Sequence, residues 1–194
     1  MPHFREKPRF GLTGEMAENE LFGEAGQKIN IDFKKWLAKR NELYMPKRKA
    51  IEAVKENQPG DPREPGPKFA SDVYEEVVRR LIELDGKENN PDNYFEAVGR
   101  VAFFTAVHSP LDYAHGVDAF FEIDSKADEF VRVELDASTH RKAEFDADVL
   151  VEYPSGGLDP KDDKDDWESL VGRTADSILE TFNAKIRSHD TNRR

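Results

Sequence analysis

Two aspartates near the middle of the chain, Asp118 and Asp136, have a spacing that could bring their carboxylates together. Asp118 lies at the start of an alternating run, residues 117–123, and Asp136 lies near the end of a second run, residues 130–137. Polar, turn-forming residues separate the runs, which is typical of two antiparallel strands joined by a loop. The hairpin would place both aspartates at one end, and Lys142 follows shortly after. Two acids and a lysine gathered there suit a divalent-metal site for phosphodiester hydrolysis.

The alternation of side chains indicates which acids share a face of this hairpin. Glu134 and Asp136 point to the same side of the second strand, so Asp118 can lie beside Asp136 with Glu134 one pleat further along. Carboxylates this close repel each other when ionised, and a bound Mg²⁺ or Mn²⁺ would relieve the repulsion. A nearby lysine would stabilise negative charge that develops on a phosphoryl group. The alternative is a solvated sheet face, because charged residues make up 36% of the chain.

Three histidines flank the same region: His108, His115 and His140. Imidazole and carboxylate ligands suit zinc or iron, so His115, Asp118 and His140 are a second candidate metal site. The chain has no tight motif such as H-E-x-x-H, and histidines in polar turns are more often only solvated.

The composition bounds the class of protein. With 194 residues the chain is long enough for one ordinary domain with a real core. It has no cysteine, which excludes disulfides, zinc–thiolate sites and cysteine nucleophiles. The first ten residues lack the apolar stretch of a signal peptide, and no apolar run reaches membrane-spanning length. We therefore expect a cytoplasmic protein without a membrane partner.

The net charge of −11 is unevenly distributed. Residues 1–55 contain 12 basic and 8 acidic residues, a balance of +4 against −15 for the remainder. An acidic body does not favour indiscriminate nucleic-acid binding, since phosphate contacts need local positive charge. A basic N-terminal helix could still contact a DNA or RNA backbone through Lys34, Lys35, Lys39, Arg40, Lys47, Arg48 and Lys49. The simpler alternative is the solvated face of an amphipathic helix.

The remaining pattern predicts helices around the hairpin. Apolar residues at helical spacing predict one helix from about Met16 to Tyr44, and Pro46 ends or restarts it before a short helix that ends at Glu56. Further helices are expected at residues 72–86, 91–107 and from Trp167 onward, with a third strand at residues 147–153.

This order of elements predicts an α+β protein, with a small mixed or antiparallel sheet of about three to four strands backed by helices and an N-terminal helical arm. Residues 58–68 contain four prolines and two glycines, a composition that is typical of a linker. We expect this linker to separate the arm, residues 1–57, from the core domain, residues 69–194.

A buried helix, a hairpin with an Asp on its first strand and an acid on its second, a lysine and a further strand together resemble the PD-(D/E)xK nuclease superfamily. The resemblance covers roughly residues 93–153. It implies a restriction-endonuclease-like fold, Mg²⁺ or Mn²⁺ as cofactor, and nucleic acid as substrate. Asp118 matches the first metal-binding Asp, and Asp136 matches the acid of the second strand, with Glu134 as the competing choice.

The resemblance also implies further site residues. A glutamate from a preceding helix often completes the site, which makes Glu96 a candidate metal ligand, and Asp112 would line the mouth. The family usually places its lysine two residues after the acid, where this chain has Ser138. Lys142 would then be a displaced lysine. Related bacterial and phage proteins include nucleases for DNA repair or restriction, and also members that have lost activity.

Two other functions remain open at this point. One alternative to the nuclease is a non-catalytic interaction protein that keeps the fold, which the acidic body and the missing lysine favour. The other is a histidine–carboxylate metalloprotein. Neither the pattern nor the charge indicates an oligomeric state.

Overall fold

The structure is a computed structural model that describes residues 14–26, 45–86, 91–125, 130–140 and 145–192. Within these ranges the chain forms six helices and four strands. In chain order they are α1 Gly14–Phe22, α2 Lys47–Glu56, α3 Lys68–Leu84, α4 Pro91–Gly99, β1 Val101–Thr105, α5 Pro110–His115, β2 Ala119–Asp124, β3 Phe130–Ser138, β4 Val149–Glu152 and α6 Lys164–Asn192. None of the helices in these ranges is long and apolar enough to cross a membrane.

The four strands form one mixed sheet in the order β1-β2-β3-β4. The first three are an antiparallel meander, in which Ala119 pairs with both Thr105 and Leu135. β4 runs parallel to β3, with Val149 opposite Leu135. The α+β fold class, with helices packed on a mixed sheet, is confirmed, as is the hairpin that carries Asp118 and Asp136.

The prediction of a single helix over residues 91–107 is wrong. The helix ends at Gly99, and the next residues form β1. Val101 and Phe103 of this strand pack into one side of the core, while Phe104 packs into the other. A strand buried on both faces is apolar at successive positions, and such a run cannot be told from a buried helix by periodicity alone.

The prediction of one continuous helix from Met16 to Tyr44 is also wrong. α1 ends at Phe22, and Gly23 follows with a φ of +72°. A left-handed residue just after a helix stops it, and glycine adopts this conformation without steric cost. Residues 27–44 lie outside the described part of the chain, and with them Lys34, Lys35, Lys39 and Arg40.

Helices cover both faces of the sheet. On one face, α1, α3 and α6 pack against Phe103, Phe121 and Val133 in the larger core cluster. On the other face, the short helices α2 and α5 pack against Phe104 and Phe120, whose rings stack with centroids 5.0 Å apart. Burying one such ring contributes about 1.5 to 3 kcal/mol. The second face also carries the acids of the hairpin.

The proline-rich segment forms turns and covers the outer edge of β1. The N–H of Phe103 donates to the Pro62 carbonyl at 2.8 Å, and the N–H of Thr105 donates to Oε1 of Gln58 at 3.1 Å. These bonds satisfy backbone groups that an open edge strand would present to solvent.

Replacing Gly26 with alanine is expected to destabilise the fold. A Cβ atom there would overlap the backbone oxygen of Asn57, so the backbone must move. We expect the free energy of unfolding to fall by roughly 1 to 3 kcal/mol, as for other overpacked sites. Urea denaturation measures this loss. Gly66→Ala is the matched control, because nothing lies within 4 Å of the methyl group that this substitution adds, and equal stability of both variants would contradict the packing.

Candidate metal centre

Asp118 lies at the centre of the site, immediately before β2. Its N–H donates to the Leu135 carbonyl at 2.9 Å, and its own carbonyl accepts from the N–H of Ala106 at 2.7 Å. Its side-chain Oδ2 accepts from the N–H of Ala137 at 2.7 Å. The residue is only 3% exposed. Backbone bonds from both neighbouring strands therefore fix this carboxylate in a buried position.

Two further carboxylates join Asp118 from separate helices. Glu18 of α1 and Asp112 of α5 each offer an oxygen, and the three oxygens lie within 4.8 Å of one another. Buried Ala17 and Leu21 anchor α1 in the core on either side of Glu18. The three acids meet at the end of the sheet, where α1 from one layer approaches α5 from the other.

The position of Asp112 follows from the start of α5. Ser109 caps this helix, and its Oγ accepts from the N–H of Leu111 at 3.1 Å. The N–H of His108 donates to Oδ2 of Asp112 at 2.7 Å. A capping residue and a backbone donor together orient the Asp112 carboxylate toward the cluster.

Crowding and burial shift the proton equilibria of the cluster. Burial raises the pKa of Asp118 to about 8, the Ala137 N–H opposes this shift, and the charges of Glu18, Asp112 and Asp136 add to it. Burial likewise raises the pKa of Asp112. At neutral pH the site therefore favours a bound proton or a cation over bare negative charges.

The structure brings Asp136 and Asp118 to the same end of the hairpin, as the alternation predicted. Asp136 is 5% exposed and follows Leu135, the strand partner of Ala119. Its negative charge acts on both Asp118 and Asp112. Asp136 is therefore a fourth acid beside the three that converge.

Glu134 is on the expected face but has a different partner. Its Oε2 accepts from Nζ of Lys47 at 2.6 Å, and Lys47 begins α2. One pleat further, Glu122 forms ion pairs with Lys55 of α2 at 2.5 Å and with Arg132 at 2.6 Å. Cations thus neutralise the acids that lie further along the sheet face, and Glu134 is not part of the converging group.

Glu96 and Lys142 are not among the residues that the structure brings together. Glu96 is exposed on α4, which leads into β1 where Val101 pairs with Ile123. Asp118 lies beyond the opposite end of β1, about 13 Å away along the strand. The glutamate of the converging group is therefore Glu18 of α1 and not Glu96 of α4. Lys142 falls in residues 141–144, outside the described ranges.

The histidines do not form the second candidate site. Nε2 of His115 lies 2.8 Å from the Met45 carbonyl, and His140 is exposed in the turn after β3. In the part of the chain that the structure describes, the one group of three metal-ligating side chains that converges contains carboxylates and no histidine. His115, Asp118 and His140 are therefore not brought together.

The donor set fits a hard divalent cation. Carboxylate oxygens suit Mg²⁺, Mn²⁺ and Ca²⁺. Mg²⁺–oxygen bonds of about 2.1 Å place opposite ligands about 4.2 Å apart, and Ca²⁺ bonds of about 2.3 to 2.6 Å place them about 5 Å apart. Oxygens within 4.8 Å of one another are therefore close enough for side chains to meet around one ion of this class.

Glu18→Gln and Glu134→Gln should differ in their effect on Mn²⁺ binding. Glu18 supplies one of the converging oxygens, whereas Glu134 is paired with Lys47. We expect Glu18→Gln to lower the affinity about 10-fold or more, by analogy with other site substitutions. Glu134→Gln should stay within about twofold of the unchanged protein. Calorimetric titration measures both, and a larger loss in Glu134→Gln would contradict the assignment of ligands.

Comparison of the chain with protein-family models, with curated proteins and with solved structures finds no match. The description of the site therefore depends on its geometry.

The sequence pattern did not indicate Glu18. Helical spacing placed it on a helix, beside Ala17 and Leu21, but it is one of three glutamates in residues 15–20 and lies 100 positions before Asp118. Only its place next to the buried stripe of α1 distinguishes it. Asp112 lies just before the hairpin in the sequence, and its hydrogen bond from the His108 N–H explains why it faces the cluster.

Proposed function

We propose that this protein is a Mg²⁺- or Mn²⁺-dependent hydrolase of phosphodiester bonds in nucleic acid. The observation that carries the proposal is the convergence of oxygens from Glu18, Asp112 and Asp118 within 4.8 Å, with Asp118 buried. Crowded acids repel one another, and burial of Asp118 adds a desolvation cost, so this cluster is a candidate functional site. A divalent cation removes the repulsion.

The residues have distinct roles in this proposal. Glu18, Asp112 and Asp118 would hold the cation, and Asp136 would add negative charge beside it. When bound, the cation supplies Lewis acidity and lowers the pKa of a coordinated water. The N–H groups of Ala137 and His108 keep the carboxylates of Asp118 and Asp112 in fixed orientations. Lys142 would orient the attacking water.

A nucleic-acid substrate requires positive charge near this acidic site. α2 lies beside α5, as the bond from His115 to the Met45 carbonyl shows, and α5 carries Asp112. Arg48 and Lys49 in the first turn of α2 are exposed to solvent. Together with the basic residues 34–40 they would contact the phosphate backbone of DNA or RNA. The cytoplasm is the proposed compartment.

A metal-dependent cleavage assay tests this function. Single- and double-stranded DNA and RNA are incubated with the protein and Mg²⁺ or Mn²⁺, and a chelator serves as the blank. We expect cleavage that requires the metal and falls at least about 100-fold in Asp118→Ala and Asp136→Ala, since each removes charge from the site. Activity that survives both substitutions would refute the assignment.

The second candidate function is non-catalytic binding of a partner. It is favoured by Ser138, which stands two positions after Asp136, where the resembled nucleases usually have their lysine. Ser138 is buried, and its Oγ accepts from the N–H of His140 at 3.2 Å. With a serine there, the acids would hold a cation that joins α1, α5 and the hairpin, and the protein would act by binding a partner. Mn²⁺ binding without cleavage of any of the four substrates would support this second function.

A further inference from the structure

His108 lies between β1 and α5, where three contacts fasten α1 to the sheet. Oγ1 of Thr105 donates to the Gly23 carbonyl at 2.6 Å, and the N–H of Ala25 donates to the Val107 carbonyl at 3.1 Å. The third contact is made by the His108 ring itself. Of these contacts it is the one nearest in sequence to Glu18.

The backbone of His108 is unusual. Its φ of +64° is the one positive value of a non-glycine residue in the described ranges. This conformation costs roughly 1 kcal/mol or more for a residue with a Cβ atom. With this conformation, the N–H of His108 donates to Oδ2 of Asp112, an acid of the cluster, at 2.7 Å.

The ring of His108 spans from α1 to α5. Nε2 lies 3.2 Å from Nδ2 of Asn19 and 3.7 Å from Oε1 of Glu15, both on α1. Nδ1 lies 3.4 Å from Oη of Tyr113 on α5. With the ring proton on Nδ1, Nε2 accepts from the Asn19 amide and Nδ1–H points to Oη of Tyr113, so the ring hydrogen-bonds to both helices.

We propose that His108 is a positioning residue of the cation site, an inference that rests on the proposed metal binding. Its N–H orients Asp112, and its ring holds α1 so that Glu18 stays within reach of Asp112 and Asp118. The side chain is 17% exposed and the neighbouring Asn19 directly follows Glu18. Loss of the ring would therefore remove the contact at Asn19 that holds this part of α1, and the Glu18 carboxylate would move. Outer-sphere partners of metal ligands commonly change affinity about 10- to 100-fold.

The variant His108→Gly removes the ring and keeps the backbone N–H, so it tests the ring separately. Glycine adopts a positive φ without strain, so the N–H to Asp112 is kept while the ring contacts to Asn19 and Tyr113 are lost. We expect the Mn²⁺ affinity of His108→Gly to fall about 10-fold. His140→Gly is the matched control, because His140 is exposed in a turn, and its affinity should not change.

A double-mutant cycle with Glu18→Gln tests whether the ring acts through Glu18. If it does, His108→Gly should weaken Mn²⁺ binding by less than about twofold in the Glu18→Gln background, because the positioned group is already gone. Losses that simply multiply in the double variant would overturn the proposal. An unchanged Mn²⁺ affinity of the single variant His108→Gly would also overturn it. In either case the metal site itself would still be supported if the unchanged protein binds Mn²⁺.

Hydrogen exchange supplies a readout that does not need metal. In His108→Gly the amides of α1 should exchange faster, while those of α3 should stay as protected as before, because the ring's hydrogen bonds go to α1 and α5. Equal exchange of α1 in both proteins would overturn the route through this helix. If the unchanged protein binds no Mn²⁺, the proposed function fails, and the positioning role in a cation site fails with it.

Discussion

Asp118→Asn is expected to weaken Mn²⁺ binding by at least about 100-fold. Asp118 is the most buried acid of the cluster, and backbone hydrogen bonds with Leu135 and Ala137 of β3 fix it. The asparagine amide keeps the size of the side chain but removes its charge from a poorly hydrated site, where Coulomb attraction to a divalent ion is strong. Calorimetric titration of the two proteins at about pH 7.5, near the middle of the physiological range, measures the loss.

Glu122→Gln is the matched control for this substitution. Glu122 is also buried on the same sheet face, but it is paired with Lys55 and Arg132 and lies away from the cluster. It should bind Mn²⁺ as the unchanged protein does, although its stability falls because two cations lose their partner. Equal Mn²⁺ affinity of Asp118→Asn and the unchanged protein would contradict the metal site.

Without divalent metal, the stability of the protein should fall as the pH rises from about 4 to 8. The pKa of Asp118 lies near 8 in the folded protein, above its ordinary value of 3.8. Over that interval the folded state holds a proton that the unfolded chain has released, so unfolding becomes easier with rising pH. One such group changes the free energy of unfolding by up to about 1.4 kcal/mol per pH unit. Urea denaturation in chelator at several pH values measures the slope.

Asp118→Asn should flatten this dependence and be more stable than the unchanged protein at pH 8, by roughly 2 to 4 kcal/mol. A neutral amide has no cost of ionising inside the cluster of Glu18, Asp112 and Asp136. Mn²⁺ should restore stability to the unchanged protein at pH 8, by about 2.7 kcal/mol at a concentration 100 times its Kd. An identical pH slope in both proteins would show that Asp118 does not titrate in this range.

The hairpin was predictable because its information is local. Alternating residues and a polar loop define two strands, and their register follows from the connection, so the adjacency of Asp118 and Asp136 could be derived from the sequence. β1 could not be distinguished from a helix, since its residues are buried on both sides of the sheet. The end of α1 before Gly23 could not be derived from the spacing, because the apolar pattern continues past the glycine.

The rest of the site depends on how distant elements pack. Glu18 and Asp112 reach Asp118 only because α1 and α5 meet at the same end of the sheet. Glu96 was the expected helical ligand, but α4 approaches β1 from the opposite end. Alternation correctly placed Glu134 beside Asp136, and only the packing of α2 shows that Lys47 neutralises it. Such long-range contacts leave no local pattern in one sequence.

We expect Glu18, Asp112 and Asp118 to bind one divalent cation together. Anomalous diffraction from a crystal grown with Mn²⁺ locates the ion without reference to any assumed ligand. We predict one strong peak about 2.2 Å from an oxygen of each of the three carboxylates. A Mn²⁺ peak at Glu134 or at the histidines, or no peak at saturating Mn²⁺, would contradict it.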